Sequence, residues 1–526
     1  MPHADDAARP RFPRLAAAQI VASAAAIVFL IPSSCARAPR YAIDSSIDDS
    51  AVASTLSAYP VPGHWRRVDP RKADIMVSVE SSWGVFEDVV PGARTVSAEA
   101  YAVAGDWLDP RESLRSAETG LVAAAALAEP LSSITMPRKA LAYDGLYPGD
   151  SGYPLVKSLR VSAVPTGRDG RGVFAAEASA YLDALPEAAP PTGLTWIGAV
   201  GDVMPGLGTS AMLLELDGPE RVFKRLLPVM RSQDLLIANL ETAVTQRGVE
   251  WPKTFRFRMP AAALTPLMDS GVDVVGLANN HVYDYTDIGF SDTVAALKAA
   301  GLPFIGAGLD WNEALRPFDW SSEYSRSSEY SRSSEYSRSS ASEKVALWAL
   351  AAFPVERTGF SGLVHASVQR GEPGLLWADD EAVAEIERSL AARKDDGSLL
   401  AVSVHAGYEY TYGPNALQTR LYRSLVDAGA DLVLGHHPHV LQPMEWYEGG
   451  SHAGLIVYSL GNFVFDDVED NPKGLESMLL SLGVTDGRIR TLRVYPARMD
   501  GYTVDLDDGD AIRSLLWTMS EAWAEE

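Results

Sequence analysis

From Leu194 to Tyr458, short apolar runs alternate with stretches of helical length, and no other feature restricts the fold of this chain as much. Leu194–Val200, Leu235–Ala238, Val272–Leu277, Lys344–Ala351, Leu399–Val404, Leu432–Leu434 and Leu455–Tyr458 read as strands. Pro219–Arg231, Asp287–Ala300, Asp379–Arg393 and Leu417–Ala428 read as helices, with Gly301 and Gly429 ending the second and the last. Such alternation predicts a largely parallel sheet with covering helices. Ser477–Val484 and Ile489–Tyr495 flank Thr485–Asp486–Gly487, a hairpin signal.

In open α/β sheets, sites gather at the carboxyl ends of strands. Here those ends carry chemistry. Asp202 closes the first run in AVGDVMPG, and Glu241 follows the second in IANLETAV. Asn280 and His281 follow Val272–Leu277, and His405 follows Leu399–Val404. DLVLGHHPHV places His436, His437 and His439 after the next run, in a chain with nine histidines. Each residue has an ordinary reading. An Asp after a strand often caps a helix or turn, Asn279–Asn280 could be a turn pair, and a lone buried histidine is usually just hydrogen-bonded. Five strand ends of this kind in order argue for a mixed oxygen and nitrogen ligand set, suited to manganese, iron or zinc. A bridging carboxylate can hold two such cations about 4 Å apart.

At 526 residues, two or three domains are expected. The net charge of −24 opposes nucleic acid as a partner, which needs clustered positive charge. Arg9, Arg11 and Arg14 precede the apolar stretch Leu15–Ile31, and small residues follow. Residues 1–38 therefore read as an export signal or membrane anchor. Cys35, the single cysteine, stands where a bacterial lipoprotein would be acylated, although Pro32 departs from that pattern. Lipidation, an uncleaved anchor and simple secretion are the alternatives. Residues 39–190 read as a small α/β or α+β domain of unknown role. It has apolar segments at Ala73–Val79, Thr95–Val103, Leu159–Val164 and Val173–Ala180, and a helical pattern over Asp109–Leu127. Leu185–Thr192, rich in proline, reads as a linker to a domain spanning 191–526. Residues 321–338 are three identical copies of SSEYSR, a polar tract expected as a disordered loop insertion over 321–342.

The strings GDVMPG, NLET, GLANNHVYDY, HAGYEY, GHHPHVLQPME and VYSLGNFVFD, in this order, resemble the CapA family of poly-γ-glutamate capsule proteins. The resemblance runs from about Leu194 to Asp466. It implies an α/β fold of calcineurin-like metallophosphatase type, a four-layer α/β/β/α sandwich. It also implies roles. Asp202, Glu241, Asn280, His405, His437 and His439 would hold one or two divalent metal ions, with Glu241 bridging and Asp202 also counted with the catalytic residues. His281 would be the general acid, with His436 and Asn462 in support. Two departures stand out. Met204 occupies a position where phosphatases carry a ligand histidine, which puts ordinary phosphatase activity in question. Ala406 stands where the family usually has Trp, which implies a roomier site.

Lys253, Arg256 and Arg258 in WPKTFRFRMP could clamp carboxylate or phosphate groups, or form an exposed cationic loop. Tyr408, Glu409 and Tyr412 are expected to line the same cleft. The leading expectation is an exported protein anchored at the cell envelope. It would act in synthesis, export or anchoring of an anionic polymer such as poly-γ-glutamate, within a membrane polymer-synthesis complex. The alternatives are a non-catalytic scaffold that binds polymer or partner, and a secreted metal-dependent phosphoesterase unrelated to capsule.

Overall fold

The computed structural model describes residues 193–322, 343–450, 452–466, 472–509 and 511–524, together with the backbone of short strands between Arg40 and Ala163. The N-terminal stretch read as an export signal or anchor, with Cys35, the segment Val173–Ala180, the stretch read as a linker and nearly all of the SSEYSR tract lie outside the described residues. In the N-terminal region the strands order as Arg66–Arg67, Arg40–Ile43, Ile75–Val79, Val156–Ala163, Arg94–Ala104 and Leu127–Glu129, with Lys139–Ala140 also on Arg94–Ala104. Ser113–Leu114, inside the stretch read as helix, is a two-residue strand.

The remaining residues build two sheets. The first uses β1 (Thr195–Met204), β2 (Leu235–Leu240), β3 (Val274–Gly276) and β4 (Phe304–Ile305). The second uses β5 (Phe318–Ser321), β6 (Lys344–Ala352), β7 (Ser398–Ala406), β8 (Leu432–His436), β9 (Met444–Glu448) and β10 (Ala453–Val457). The chain then returns to the first sheet with β11 (Asn462–Phe465), β12 (Glu476–Thr485), β13 (Arg488–Asp500) and β14 (Thr503–Leu506). The first sheet runs β4-β3-β2-β1-β12-β13-β14, with β11 also on β1, and the second runs β5-β6-β7-β8-β10-β9. Strands β1 to β4 are mutually parallel, as are β6, β7, β8 and β10. Two sheets therefore replace the single one that alternation alone suggested.

The period of two along β6 shows how they pack. Val345, Leu347, Ala349 and Ala351 join a core that includes Ile197, Leu236 and Val275 of the first sheet. The alternate residues Ala346, Trp348, Leu350 and Ala352 join a second core with two helices, α2 (Asp380–Arg393) and α3 (Ala416–Asp427). On the first sheet's side, α1 (Thr286–Ala300) contributes Phe290, Val294 and Leu297 to the shared core. The layers are thus helix, sheet, sheet, helix. Both sheets are covered, which is why their strands read as continuous apolar runs.

Local signals set the element ends. Gly301 takes the left-handed conformation after α1 (φ 72°). Asp379 caps α2 through the Ala382 N–H, and Asn415 with Gln418 forms a capping box on α3. Asp486 (φ 54°) and Gly487 (φ 66°) turn β12 into β13 as a two-residue hairpin loop of the primed type. Pro219–Arg231 divides into two short helices, Gly218–Phe223 and Leu226–Arg231, because Lys224 breaks the run with φ 44°. Ser321 pairs with Lys344, so the SSEYSR tract falls in the connection between antiparallel β5 and β6.

Candidate metal centre

The carboxyl ends of β1, β2 and β3 from one sheet meet those of β7 and β8 from the other. Asp202 lies inside β1 rather than after it, because the strand continues past a register shift between Ala199 and Asp202. Its backbone N–H donates to the Gly461 carbonyl at 2.9 Å. Asp202, Glu241, Asn280, His405, His436, His437 and His439 are all buried.

Asn239 Nδ2 donates to Asp202 Oδ1 at 2.9 Å and lies 3.4 Å from Glu241 Oε2, so one amide spaces the two carboxylates. His405 Nε2 lies 3.3 Å from Glu241 Oε1 and 2.9 Å from Asn280 Oδ1. His436 Nδ1 is 3.1 Å from Asp202 Oδ1, and His439 Nδ1 is 3.3 Å from Asp202 Oδ2. His439 Nδ1 also faces Asn462 Oδ1 at 2.8 Å, and Asn462 Nδ2 donates to the His439 carbonyl. The histidine loop is bent sharply: His437 has φ 94° and His439 φ 58°, values non-glycine residues seldom adopt. That bend lets the His437 N–H donate to Asp202 Oδ2 at 3.2 Å.

The charges follow from burial and neighbours. Burial, then the Asp202 charge, holds Glu241 well above the usual carboxylate range. Burial also opposes the charge on Asp202, but hydrogen bonds from His436 and His439 outweigh it and bring that carboxyl well below its ordinary value. Burial and the adjacent His437 push His405 well down. Burial, with His439, lowers His437 to about 3. For His439 burial is outweighed by its bond to Asp202, and its pKa rises.

Do these residues suit a divalent cation? Two groups of three converge, Asp202 with Glu241 and His405, and Glu241 with His437 and His439, each with its ligand atoms within 4.8 Å of one another. Glu241 belongs to both. Buried polar atoms normally have partners. Yet Glu241 Oε1, both ring nitrogens of His437 and Nε2 of His436 have no hydrogen-bond partner among the described residues. The His405 and His437 imidazoles, whose burial favours the neutral form, stand beside the Asp202 and Glu241 oxygens and fit a borderline divalent metal.

His281 is placed beside this cluster by the turn at Asn279, whose Oδ1 accepts from the His281 and Val282 N–H groups. His281 Nδ1 lies 2.7 Å from Asp284 Oδ2, and the ring packs edge-on against Phe257. Lys253 corrects the sequence reading. It is buried, not a free clamp: its ammonium donates to Asp284 Oδ1 at 2.8 Å and the Asn280 carbonyl at 2.6 Å, and lies 2.9 Å from Glu356 Oε1. Arg256 is exposed and pairs with Glu250, while the Arg258 guanidinium lies over the Tyr285 ring at 4.9 Å. Tyr408 and Glu409 are exposed, and Tyr412 is half-buried. Their segment is tied to the histidine loop by Tyr410 N–H donating to the Pro438 carbonyl and Gln442 Nε2 donating to the Thr411 carbonyl, both 2.7 Å.

Met204 is fully buried in the apolar core, and its backbone pairs with Phe465. Ala406 lies in the outer core beneath the helices, so its small side chain changes packing there rather than widening the site. Sequence reasoning missed Asn239, Asp284 and Glu356. The first two sit inside quoted motifs, Asn239 two residues before Glu241 and Asp284 three after His281. Glu356 follows β6 in FPVE, a strand end without a histidine or amide to mark it.

Residues 196–467 match the family described as bacterial capsule synthesis protein PGA_cap, a span that contains every residue of this cluster. The chain is 30% identical over 269 residues to the PGA biosynthesis protein CapA of Bacillus subtilis (strain 168), covering 51% of this chain and 62% of that one. It is 28% identical over 304 residues to the capsule biosynthesis protein CapA of Bacillus anthracis, covering 56% and 66%. A probable polyglutamine synthesis accessory protein of Mycobacterium tuberculosis is 30% identical over 284 residues, covering 51% and 66%. The chain therefore spans less than two thirds of each of these relatives. With half of its length under the family match, and an α/β sandwich of metallophosphatase-like kind around the strand ends, this chain belongs to the bacterial capsule synthesis PGA_cap family.

Proposed function

We propose that this protein acts at the cell envelope in the synthesis, export or anchoring of an anionic surface polymer of poly-γ-glutamate type, through a divalent-metal centre. The observation that carries the reading is the pair of ligand groups sharing Glu241. The names of the relatives support the polymer, and the apolar stretch Leu15–Ile31 supports an exported, anchored protein. Asp202, Glu241, Asn280, His405, His437 and His439 would hold one or two ions of manganese, iron or zinc. A cation there would supply Lewis acidity and a nucleophilic water. The chain's own residues do the rest. Asp284 fixes the His281 ring by its Nδ1, leaving Nε2 to give a proton to a leaving group. Burial opposes the charge on Asp284, and the neighbouring His281, then Lys253, restores it. The bent histidine loop keeps His437 against Asp202.

The test is elemental analysis of the purified full chain, followed by assay on phosphoesters and γ-glutamyl polymers. One or two transition-metal equivalents are expected, with loss of metal in His437→Ala. His281→Ala should keep its metal and lose turnover by roughly 10²–10⁴-fold. A wild-type protein that takes up no metal from manganese, iron or zinc solutions would sink the reading. Met204 favours a second reading. An apolar thioether in the core at a position of ligand chemistry suits a polymer-binding scaffold that keeps its metal without turnover. Metal bound with no turnover on any ester or amide selects it.

A further inference from the structure

Asn280 has a side chain with two different ends, and the two point into different environments. Its Oδ1 lies 2.9 Å from His405 Nε2, within the ligand cluster. Its Nδ2 donates to Glu356 Oε1 at 3.2 Å. A carboxylate can only accept, so Glu356 selects the NH₂ end of the amide and leaves the carbonyl oxygen facing the cluster. We propose that Glu356 is a positioning residue of the metal centre, fixing the Asn280 amide so that its oxygen is presented as a ligand.

The surroundings of Glu356 fit that role. Asn280 follows β3 of the first sheet, whereas Glu356 follows β6 of the second, so this contact spans the two halves of the sandwich. Glu356 sits in a closed turn: its N–H donates to the Phe360 carbonyl at 2.9 Å, and the Gly359 N–H donates to the Glu356 carbonyl at 2.8 Å. Phe360 packs edge-on against Trp251 at 5.3 Å, which ties this turn to the segment carrying Lys253. The Lys253 ammonium, 2.9 Å from the same Oε1 and over the Phe360 ring at 4.2 Å, also holds the Asn280 carbonyl. One cation thus fixes both the backbone of Asn280 and the group that orients its side chain. Outer partners of this kind set ligand orientation and hence metal affinity. At 20% side-chain exposure, Glu356 is replaceable without emptying the core.

The inference rests on the metal-centre reading above, and the experiment separates the two. Metal-stripped full-length wild type, Glu356→Leu and Glu356→Gln are titrated with Mn²⁺ alone, and free Mn²⁺ is read by electron paramagnetic resonance. Glu356→Leu should weaken Mn²⁺ binding about 10–100-fold, and Glu356→Gln, which still offers an acceptor to Asn280 Nδ2, by about threefold or less. In an Asn280→Ala background, Glu356→Leu should add no further loss. Wild type that binds no Mn²⁺ rejects the centre itself. Wild type that binds, with Glu356→Leu within about twofold of it, or with equal losses in the single and Asn280→Ala backgrounds, overturns the positioning role. If Glu356→Leu does not fold, Glu356→Gln decides: a loss above about tenfold with unchanged Tm marks the carboxylate charge rather than amide orientation, and overturns the proposal.

Discussion

His437 combines three unfavourable features. Its backbone has φ 94°, its ring is buried, and neither ring nitrogen has a partner among the described residues. A residue held in such a conformation costs roughly 1–3 kcal/mol, and persists where the surroundings over-determine it, often at functional sites. Burial, reinforced by His439, lowers its pKa to about 3. An unfolded histidine titrates near 6.5, so below that pH the unfolded chain binds a proton that folded His437 refuses. Stability of the metal-free protein therefore falls as pH drops from about 6.5 towards 3, by up to about 1.4 kcal/mol per unit from this residue. His405 acts in the same sense, its pKa being lowered too, whereas His439, raised by Asp202, acts in the opposite one. The comparison that isolates His437 is His437→Asn, since asparagine tolerates positive φ and does not titrate. Urea unfolding of both metal-free proteins at pH 7, 6 and 5 should show a shallower loss in the variant. Parallel curves would mean that His437 is not kept neutral by the fold.

At the scale of elements, β1 and the loop before β11 approach so closely that only glycine fits at position 201. A Cβ there would lie 2.0 Å from the Gly461 carbonyl oxygen. That carbonyl accepts the Asp202 N–H, so the contact also fixes this candidate ligand. Gly201→Ala should cost about 2 kcal/mol or more and weaken metal binding at once, because relief of the clash must move Asp202 or Gly461. Denaturant unfolding within about 0.5 kcal/mol of wild type would show that the strands part without strain. Much at this scale was legible in the sequence: the helix-ending Gly301, the Asp486–Gly487 turn, and most apolar strands to within a few residues. Three things were not. The run KVALWALAA is apolar on both faces, so periodicity could not say that alternate residues of β6 face a sheet and a pair of helices. The extension of β1 through Asp202 depends on an irregular register with β2 and on the distant Gly461. Glu356 and Asn239 act only through partners brought by tertiary contact, and Lys253 looked like a surface cation because its two carboxylates come from distant segments.

Across the whole molecule, the candidate ligands divide between the two sheets. Asp202 lies in β1, and Glu241 and Asn280 follow β2 and β3, while His405 lies near the end of β7 and His437 and His439 follow β8. Several contacts join the two sets, among them His439 and the His437 N–H to Asp202, and His405 to Glu241 and Asn280. A cation held by both sets would fasten one sheet to the other at the end of the sandwich where the strand ends leave vacant lone pairs. The unfolded chain, with these ligands 237 positions apart from Asp202 to His439, offers no comparable site (439 − 202 = 237). Binding to the folded state alone stabilises by about 2.7 kcal/mol at a free concentration one hundred times Kd. For a domain of this size that is a rise of a few degrees in Tm. Stripping metal with a chelator should lower Tm by that amount, and Mn²⁺ or Zn²⁺ should restore it in proportion to the logarithm of its concentration. The two-sheet arrangement adds a sharper expectation: Asp202→Asn, on the first sheet, and His405→Ala, on the second, should each abolish the metal-dependent rise. If one variant keeps the full rise with stoichiometric metal, the ion is held by a single sheet and the fastening role fails.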